Sequence, residues 1–255
     1  MSPIDGIVAK TCGPCLRKAA RLIDPVPPIT YLQDEYITQL CYINAGIVEK
    51  GNLHSFDHAI SHLPSTAPIL EIGSYCGLSA NLLTYLKRKH SVTNRLITCD
   101  KWQFQKPEGA KDLVGDSRIR YKDLEQFARE SFIRNIKIFS DYDLPFTFEM
   151  TSDEFFECWK AGAVCSDVLG RTLSLGGPFS FCFVDGNHTY EFARRDFLNC
   201  DAFLEDGGFI LFDDSTLEKD EVRLVMPEVI ASGRYELVAR NPYHLFRKST
   251  NSKHL

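Results

Sequence analysis

Two segments of this sequence carry side chains suited to acid–base and cation chemistry. One is Val184-Asp185-Gly186-Asn187-His188, and the other is Phe212-Asp213-Asp214-Ser215. Each begins where a short apolar run ends. If those runs are neighbouring strands of one sheet, Asp185, Asp213 and Asp214 meet within a few ångströms. Carboxylates that close repel one another unless a cation joins them. A hard divalent ion such as Mg²⁺ prefers oxygen ligands and keeps positions open for a further ligand. Asp185, Asp213 and Asp214 are therefore the expected metal ligands. From the residues alone, one or two of these acids could instead cap helices or hold water. His188 lies close after Asp185, and an imidazole, with an ordinary pKa of about 6.5, can take a proton from a hydroxyl group. A lone histidine is more often structural, but its place beside Asp185 makes His188 and Asp185 the expected catalytic residues.

A second constellation follows the first apolar run of the α/β pattern: Glu71-Ile72-Gly73-Ser74-Tyr75-Cys76-Gly77-Leu78-Ser79. Gly73 permits a sharp turn, and Gly77 permits close approach of a ligand and of the next helix. The Glu71 carboxylate can hold a cationic or hydroxyl group, and Ser79 is placed to cap the following helix. The spacing is G-x-x-x-G, not the G-x-G-x-x-G of dinucleotide sites. A loop built to cradle a pyrophosphate is not expected, and a nicotinamide dehydrogenase is the weakest reading. A ligand with an amino-acid tail and no phosphate fits better. The next strand ends at Asp100, whose carboxylate can accept both hydroxyls of a ribose. Trp102 follows and could stack on adenine.

These residues require a scaffold. The apolar runs Ile69–Ile72, Leu96–Cys99, 146–150, 181–184 and 209–212 read as buried parallel strands. Helical spacing separates them, with Leu78, Leu82, Tyr85 and Leu86 on one face and Tyr190, Ala193, Phe197 and Leu204 on another. Gly207-Gly208 is read as the stop of that second helix. Near the end, runs 235–239 and 243–247 flank Arg240-Asn241-Pro242, a turn signal that makes them an antiparallel hairpin. The expected fold is α/β: a Rossmann-like, mostly parallel seven-stranded sheet with a C-terminal antiparallel hairpin. Residues 1–66 are expected to form an N-terminal helical extension, broken at Asp24-Pro-Val-Pro-Pro28, and residues 67–255 the main domain. Residues 101–122, a polar loop before a helix at 123–139, are expected to close over substrate.

With these motifs in place, the segment Leu70 to Ala80 is especially similar to the first motif of the class I methyltransferases. Residues 68–86, 96–100 and 181–215 resemble the catechol O-methyltransferase-like group and the related small-molecule and sugar O-methyltransferases. The resemblance implies that S-adenosylmethionine is the cofactor. It implies that Glu71, Gly73, Ser74, Gly77 and Ser79 surround its methionine part and that Asp100 holds its ribose. A polar or acidic residue after the third strand lies near adenine in that family, which points to Ser152 and Asp153. Asp153 could equally cap the helix it opens. The metal-dependent members resemble the Asp185, Asp213 and Asp214 arrangement, although Asp214 stands where they usually carry asparagine. His188 stands where the catechol-type enzymes carry lysine. The implied activity is metal-assisted O-methylation of a small hydroxylated molecule or sugar. A metal-independent methyltransferase and a non-catalytic cofactor-binding module are the alternatives.

Composition sets the remaining bounds. The 255 residues are 44% hydrophobic and 25% charged, as in ordinary globular proteins. A net charge of −5 argues against a nucleic-acid partner. No apolar run approaches the roughly 20 residues of a membrane span, and the first residues lack a secretory pattern, so a cytoplasmic enzyme without membrane partners is expected. The nine cysteines are expected to be reduced and largely buried. Cys12-Gly-Pro-Cys15 has redox-motif spacing but lacks the preceding strand that such a motif needs, and it is read as neutral. The N-terminal helices could serve a homodimer.

Overall fold

The strands of the computed structural model form one seven-stranded sheet and a separate two-stranded ribbon; the structure describes residues 32–104, 112–115 and 117–250. In chain order the elements are α1 (Glu35–Ile43), α2 (Lys50–Ser61), β1 (Ile69–Ile72), α3 (Leu78–Lys89), β2 (Leu96–Cys99), α4 (Tyr121–Phe139), β3 (Phe146–Phe148), α5 (Ser152–Lys160), β4 (Val164–Ser166), β5 (Thr172–Ser174), β6 (Phe179–Val184), α6 (Tyr190–Phe203), β7 (Leu204–Phe212), a 3₁₀ turn (Glu221–Leu224), α7 (Met226–Ala231), β8 (Tyr235–Arg240) and β9 (His244–Lys248). The large sheet runs β3-β2-β1-β6-β7-β9-β8. Its first five strands are parallel, and β9 and β8 are antiparallel. This is the Rossmann-like sheet with a C-terminal hairpin that the sequence pattern predicts.

The parallel strands are buried on both faces, so their sequences read as continuous apolar runs. The period of two survives in where the side chains go. Ile69, Leu96, Phe181 and Phe183 join a core with Phe56 of α2, Leu82 of α3 and Phe132 of α4. Leu70, Ile97, Cys182 and Val184 join the opposite core with Phe155 of α5, Phe197 of α6 and Val229 of α7. Helices α1 and α2 share the first core through Ile37, Leu40, Leu53 and Phe56. These two helices, at Glu35–Ile43 and Lys50–Ser61, pack on the sheet, while Cys12 and Cys15 lie outside the described residues. Cys76, Cys99, Cys182 and Cys200 are buried thiols. No described helix is long and apolar enough to cross a membrane.

Three local expectations change. Gly207-Gly208 does not stop a helix: α6 ends at Phe203, passes directly into β7, and the glycines lie inside that strand. The β6–β7 register shifts between Phe179 and Phe181, and a Cβ on Gly208 would lie 2.8 Å from a Leu204 methyl and 3.0 Å from the Ser180 carbonyl oxygen. The pair relieves a crowded irregularity in the sheet. The helix expected at 123–139 begins two residues earlier, at Tyr121. The ribbon β4–β5 was not anticipated, because its strands are only three residues long and largely exposed.

Candidate active site

The strand order reverses between β1 and β6, and the loops after Ile72 and Val184 meet there. Ligands on such sheets bind in the crevice outside the carboxyl ends of the strands at this point. The two loops touch through backbone. Gly73 has φ +83°, and a Cβ on it would sit 1.9 Å from the Asp185 carbonyl oxygen. No side chain fits there. Gly77, at φ +88°, is the N-cap of α3. Ser79 is therefore the second residue of α3 rather than its cap. It is buried, with its hydroxyl toward Glu71.

Glu71 is fully buried at the end of β1. The Ser74 hydroxyl donates to its Oε2 at 2.7 Å, while Oε1 has no hydrogen-bond partner among the described residues. Burial pushes its carboxyl up to about 7, against the lowering effect of the Ser79 and Ser74 hydroxyls. Asp100, at the end of β2, is tied into the glycine loop. Its Oδ2 accepts the backbone N–H groups of Ser74 and Tyr75 at 2.8 and 2.9 Å, and its Oδ1 accepts that of Trp102 at 2.6 Å. Burial raises its pKa against those three donors. A carboxylate offers about four acceptor sites, so Asp100 can shape the loop and still accept a hydroxyl.

Trp102 departs from its expected role. Its ring is buried against Phe132 at a centroid distance of 5.3 Å, and its Nε1 donates to the Tyr75 carbonyl at 2.8 Å. An indole committed to the core presents no free face to adenine. Tyr75 and Phe104 form a half-buried aromatic pair at this loop, with centroids 5.8 Å apart. After β3, Thr151 caps α5 in a reciprocal capping box with Glu154, so Asp153 is not the cap. Asp153 pairs with Arg195 at 3.2 Å along the α5–α6 groove. Ser152 faces Asp196, a buried acid of α6. Neither is drawn into the strand-end crevice by a described contact. Of the loop expected to close over substrate, residues 105–111 and 116 lie outside the described residues. The rest is tied down by the Leu113–Arg120 bridge and by the bond from the Phe104 N–H to Glu125 at 3.1 Å.

The loops after β6 and β7 bring their acids near one another, although among the described residues Asp185 and Asp213 do not join Asp214 in a group of possible ligand atoms within 4.8 Å. Backbone bonds from Asp185 N to Ile72 O at 2.8 Å and from Asp213 N to Val184 O at 2.9 Å extend the parallel ladder into both loops. The Asp185 and Asp213 carboxyls lie close enough to interact electrostatically. Burial first, and then the neighbouring acids, hold the pKa of Asp185 and of Asp213 well above the carboxylate range. The His188 ring lies among the acids. Its Nε2 is 3.5 Å from Asp185 Oδ1, and its Nδ1 is 3.2 Å from Asp214 Oδ2 and 3.7 Å from Asp220 Oδ1. His188, Asp214 and Asp220 offer ligand atoms that all lie within 4.8 Å of one another. Asp220 was not anticipated. It stands in a loop before the 3₁₀ turn, with no motif to mark it, and reaches the site because the Glu221 N–H bonds the His188 carbonyl at 3.1 Å. Two further polar contacts come from elements far away in sequence: Asn52 of α2 reaches Asp213, and Tyr243 of the β8–β9 turn reaches Asp214.

Residues 70–215, more than half of the chain, match the family described as a methyltransferase domain. No curated protein matches the sequence. Among solved structures, the chain is similar to the O-methyltransferase NovP, with 18% identity over 78% of this chain and 79% of that one and a TM-score of 0.50. It is similar to the O-methyltransferase TomG from Streptomyces achromogenes in complex with SAM, with 14% identity over 91% and 96% of the two chains and a TM-score of 0.52. It is also similar to the SAH-bound methyltransferase PaMTH1 of Podospora anserina, with 13% identity over 91% and 95% and a TM-score of 0.52. At such identities the likeness is one of fold.

Proposed function

This chain belongs to the methyltransferase domain family, and from that premise we propose that it carries out S-adenosylmethionine-dependent, divalent-metal-assisted O-methylation of a small hydroxylated molecule or sugar. The observation that carries the reading is the placement of the His188 imidazole among Asp185, Asp214 and Asp220, with the Asp213 carboxyl beside Asp185. A set of carboxylate oxygens suits a hard divalent ion such as Mg²⁺. Asp185, Asp213 and Asp214 would hold it, with Asp220 within reach. The cation, when bound, would supply a positive charge that acidifies a hydroxyl group and anchors the acceptor.

The chain's own residues do the rest. Glu71, Gly73, Ser74, Gly77, Ser79 and Asp100 would hold the cofactor, and Glu71 Oε1, which has no hydrogen-bond partner among the described residues, is open to a donor. His188 takes the proton from the acceptor hydroxyl. S-adenosylmethionine, when bound, would supply the methyl group to the acceptor oxygen and leave as S-adenosylhomocysteine, while His188 holds the acceptor's proton. The Gly73–Asp185 backbone contact fixes the loop assigned to the cofactor against the acid loop.

One observation favours a second reading. A protonated His188 ring at 3.2–3.7 Å from Asp185, Asp214 and Asp220 could itself balance the acids. The enzyme would then be metal-independent, with Asp213 and Asp214 binding the acceptor directly. Calorimetric titration of S-adenosylmethionine with and without Mg²⁺, repeated with acceptor analogues present, separates the two. A Mg²⁺ signal that disappears in Asp213→Ala supports the metal-assisted reaction. Cofactor binding with no metal signal under any condition selects the metal-independent one. Absence of cofactor binding would sink both.

A further inference from the structure

The metal-assisted reading assigns roles to acids on β6 and β7, inside the matched span. Two residues outside that span hold two of those acids. Asn52, in the first turn of α2, has no exposed surface, and its Nδ2 donates to Asp213 Oδ1 at 2.5 Å. The hydroxyl of Tyr243, which is 2% exposed, donates to Asp214 Oδ1 at 2.7 Å. Asp214 itself has φ +52°, a conformation that non-glycine residues adopt at a cost and keep only where surrounding contacts impose it.

The two supports are themselves joined. Asn241, in the turn just before Tyr243, donates through Nδ2 to the Gly51 carbonyl at 3.2 Å. The backbones are so close that a Cβ on Gly51 would lie 2.2 Å from the Asn241 carbonyl oxygen. Helix α2 and the β8–β9 hairpin thus form one clasp, with Asn52 on one arm and Tyr243 on the other.

Packing alone does not account for Asn52. Its Oδ1 is buried with no hydrogen-bond partner among the described residues. A leucine of similar size would fill the space without that unpaired acceptor. Buried polar groups are nearly always hydrogen-bonded, so an unpaired one calls for a reason. The contact that Asn52 does make is the donor to Asp213.

We propose that Asn52 and Tyr243 are positioning residues that fix the Asp213 and Asp214 carboxylates for cation binding, so that α2 and the hairpin complete a site whose acids lie elsewhere. This rests on the metal-assisted reading. Outer contacts of this kind orient metal ligands, and their loss commonly costs 10- to 100-fold in metal affinity.

The test is Mn²⁺ titration of the full chain with saturating S-adenosylmethionine, followed by electron paramagnetic resonance of free Mn²⁺. Wild type, Asn52→Leu, Tyr243→Phe and Asp213→Ala are compared, and cofactor affinity is measured separately by calorimetry. Wild type should bind Mn²⁺ and Asp213→Ala should not. Asn52→Leu and Tyr243→Phe should each weaken Mn²⁺ about tenfold while cofactor affinity changes less than about twofold. If Asn52→Leu does not fold, Tyr243→Phe decides, since it removes a single oxygen. Unchanged Mn²⁺ affinity in the folded variants, or an equal loss of cofactor affinity, overturns the positioning role alone. A wild type that binds no Mn²⁺ overturns the metal-assisted reading beneath it as well.

Discussion

Gly73 and Asp185 meet backbone to backbone, with the space for a Gly73 side chain filled by the Asp185 carbonyl oxygen 1.9 Å from where a Cβ would lie. The contact couples the loop assigned to the cofactor to the loop that carries the acids and His188. Gly73→Ala would have to relieve both this overlap and a φ of +83°. The left-handed conformation alone costs about 1–2 kcal/mol, and the overlap adds to it. The variant should unfold at markedly lower temperature, and any folded fraction should lose cofactor affinity and turnover together. Wild-type stability in a thermal scan would show that the loops can move apart without cost.

The two loops should still separate by mutation. Asp100 holds three backbone N–H groups of the glycine loop and its neighbour, so Asp100→Ala should weaken S-adenosylmethionine binding by at least about tenfold. Asp185→Ala leaves that loop's bonds in place and should spare cofactor affinity while abolishing turnover. Calorimetry alongside a single-turnover assay checks both. Equal loss of cofactor affinity in the two variants would mean that Asp185 belongs to the cofactor site.

His188→Gln keeps a polar side chain but removes the proton acceptor. Turnover should fall about 10²- to 10⁴-fold with little change in cofactor affinity, the range expected for loss of a general base. A loss of less than threefold would reduce His188 to a structural partner of Asp214 and Asp220.

Asp196 links stability to pH. Burial pushes its carboxyl from the ordinary 3.8 up to about 7, opposed by the Ser152 hydroxyl. Between those values the folded protein keeps a proton that the unfolded chain has released, so stability contributed by this group falls as pH rises through the window. Asp196→Asn has nothing to titrate there. The unfolding free energy of the variant relative to wild type should therefore rise by up to about 4 kcal/mol between pH 4 and pH 7.5. Urea unfolding across that range measures it, and a difference that does not vary with pH would refute the linkage.

Much of this molecule is set by local pattern. Buried runs such as Ile69–Ile72 and Leu96–Cys99, separated by helical periods, imply a doubly covered parallel sheet. The turn at Arg240-Asn241-Pro242 implies the hairpin. Gly73 and Gly77 mark a backbone that needs left-handed φ, and acids at the ends of β1, β2, β6 and β7 are brought to one edge by the sheet itself. Those features are local or follow from strand order, so spacing reveals them. Tertiary packing decided the rest. Trp102 is the right residue type for an adenine wall, but Phe132 of α4 and the Tyr75 carbonyl claim its ring. Gly207-Gly208 has a helix-stop composition, but the β6–β7 register shift uses it inside a strand. Asn52, Asp220 and Tyr243 have no distinguishing spacing. They reach the acids only because α2, the 3₁₀ turn and the hairpin pack there, and contacts between segments so far apart in sequence depend on the assembled fold and not on any local propensity.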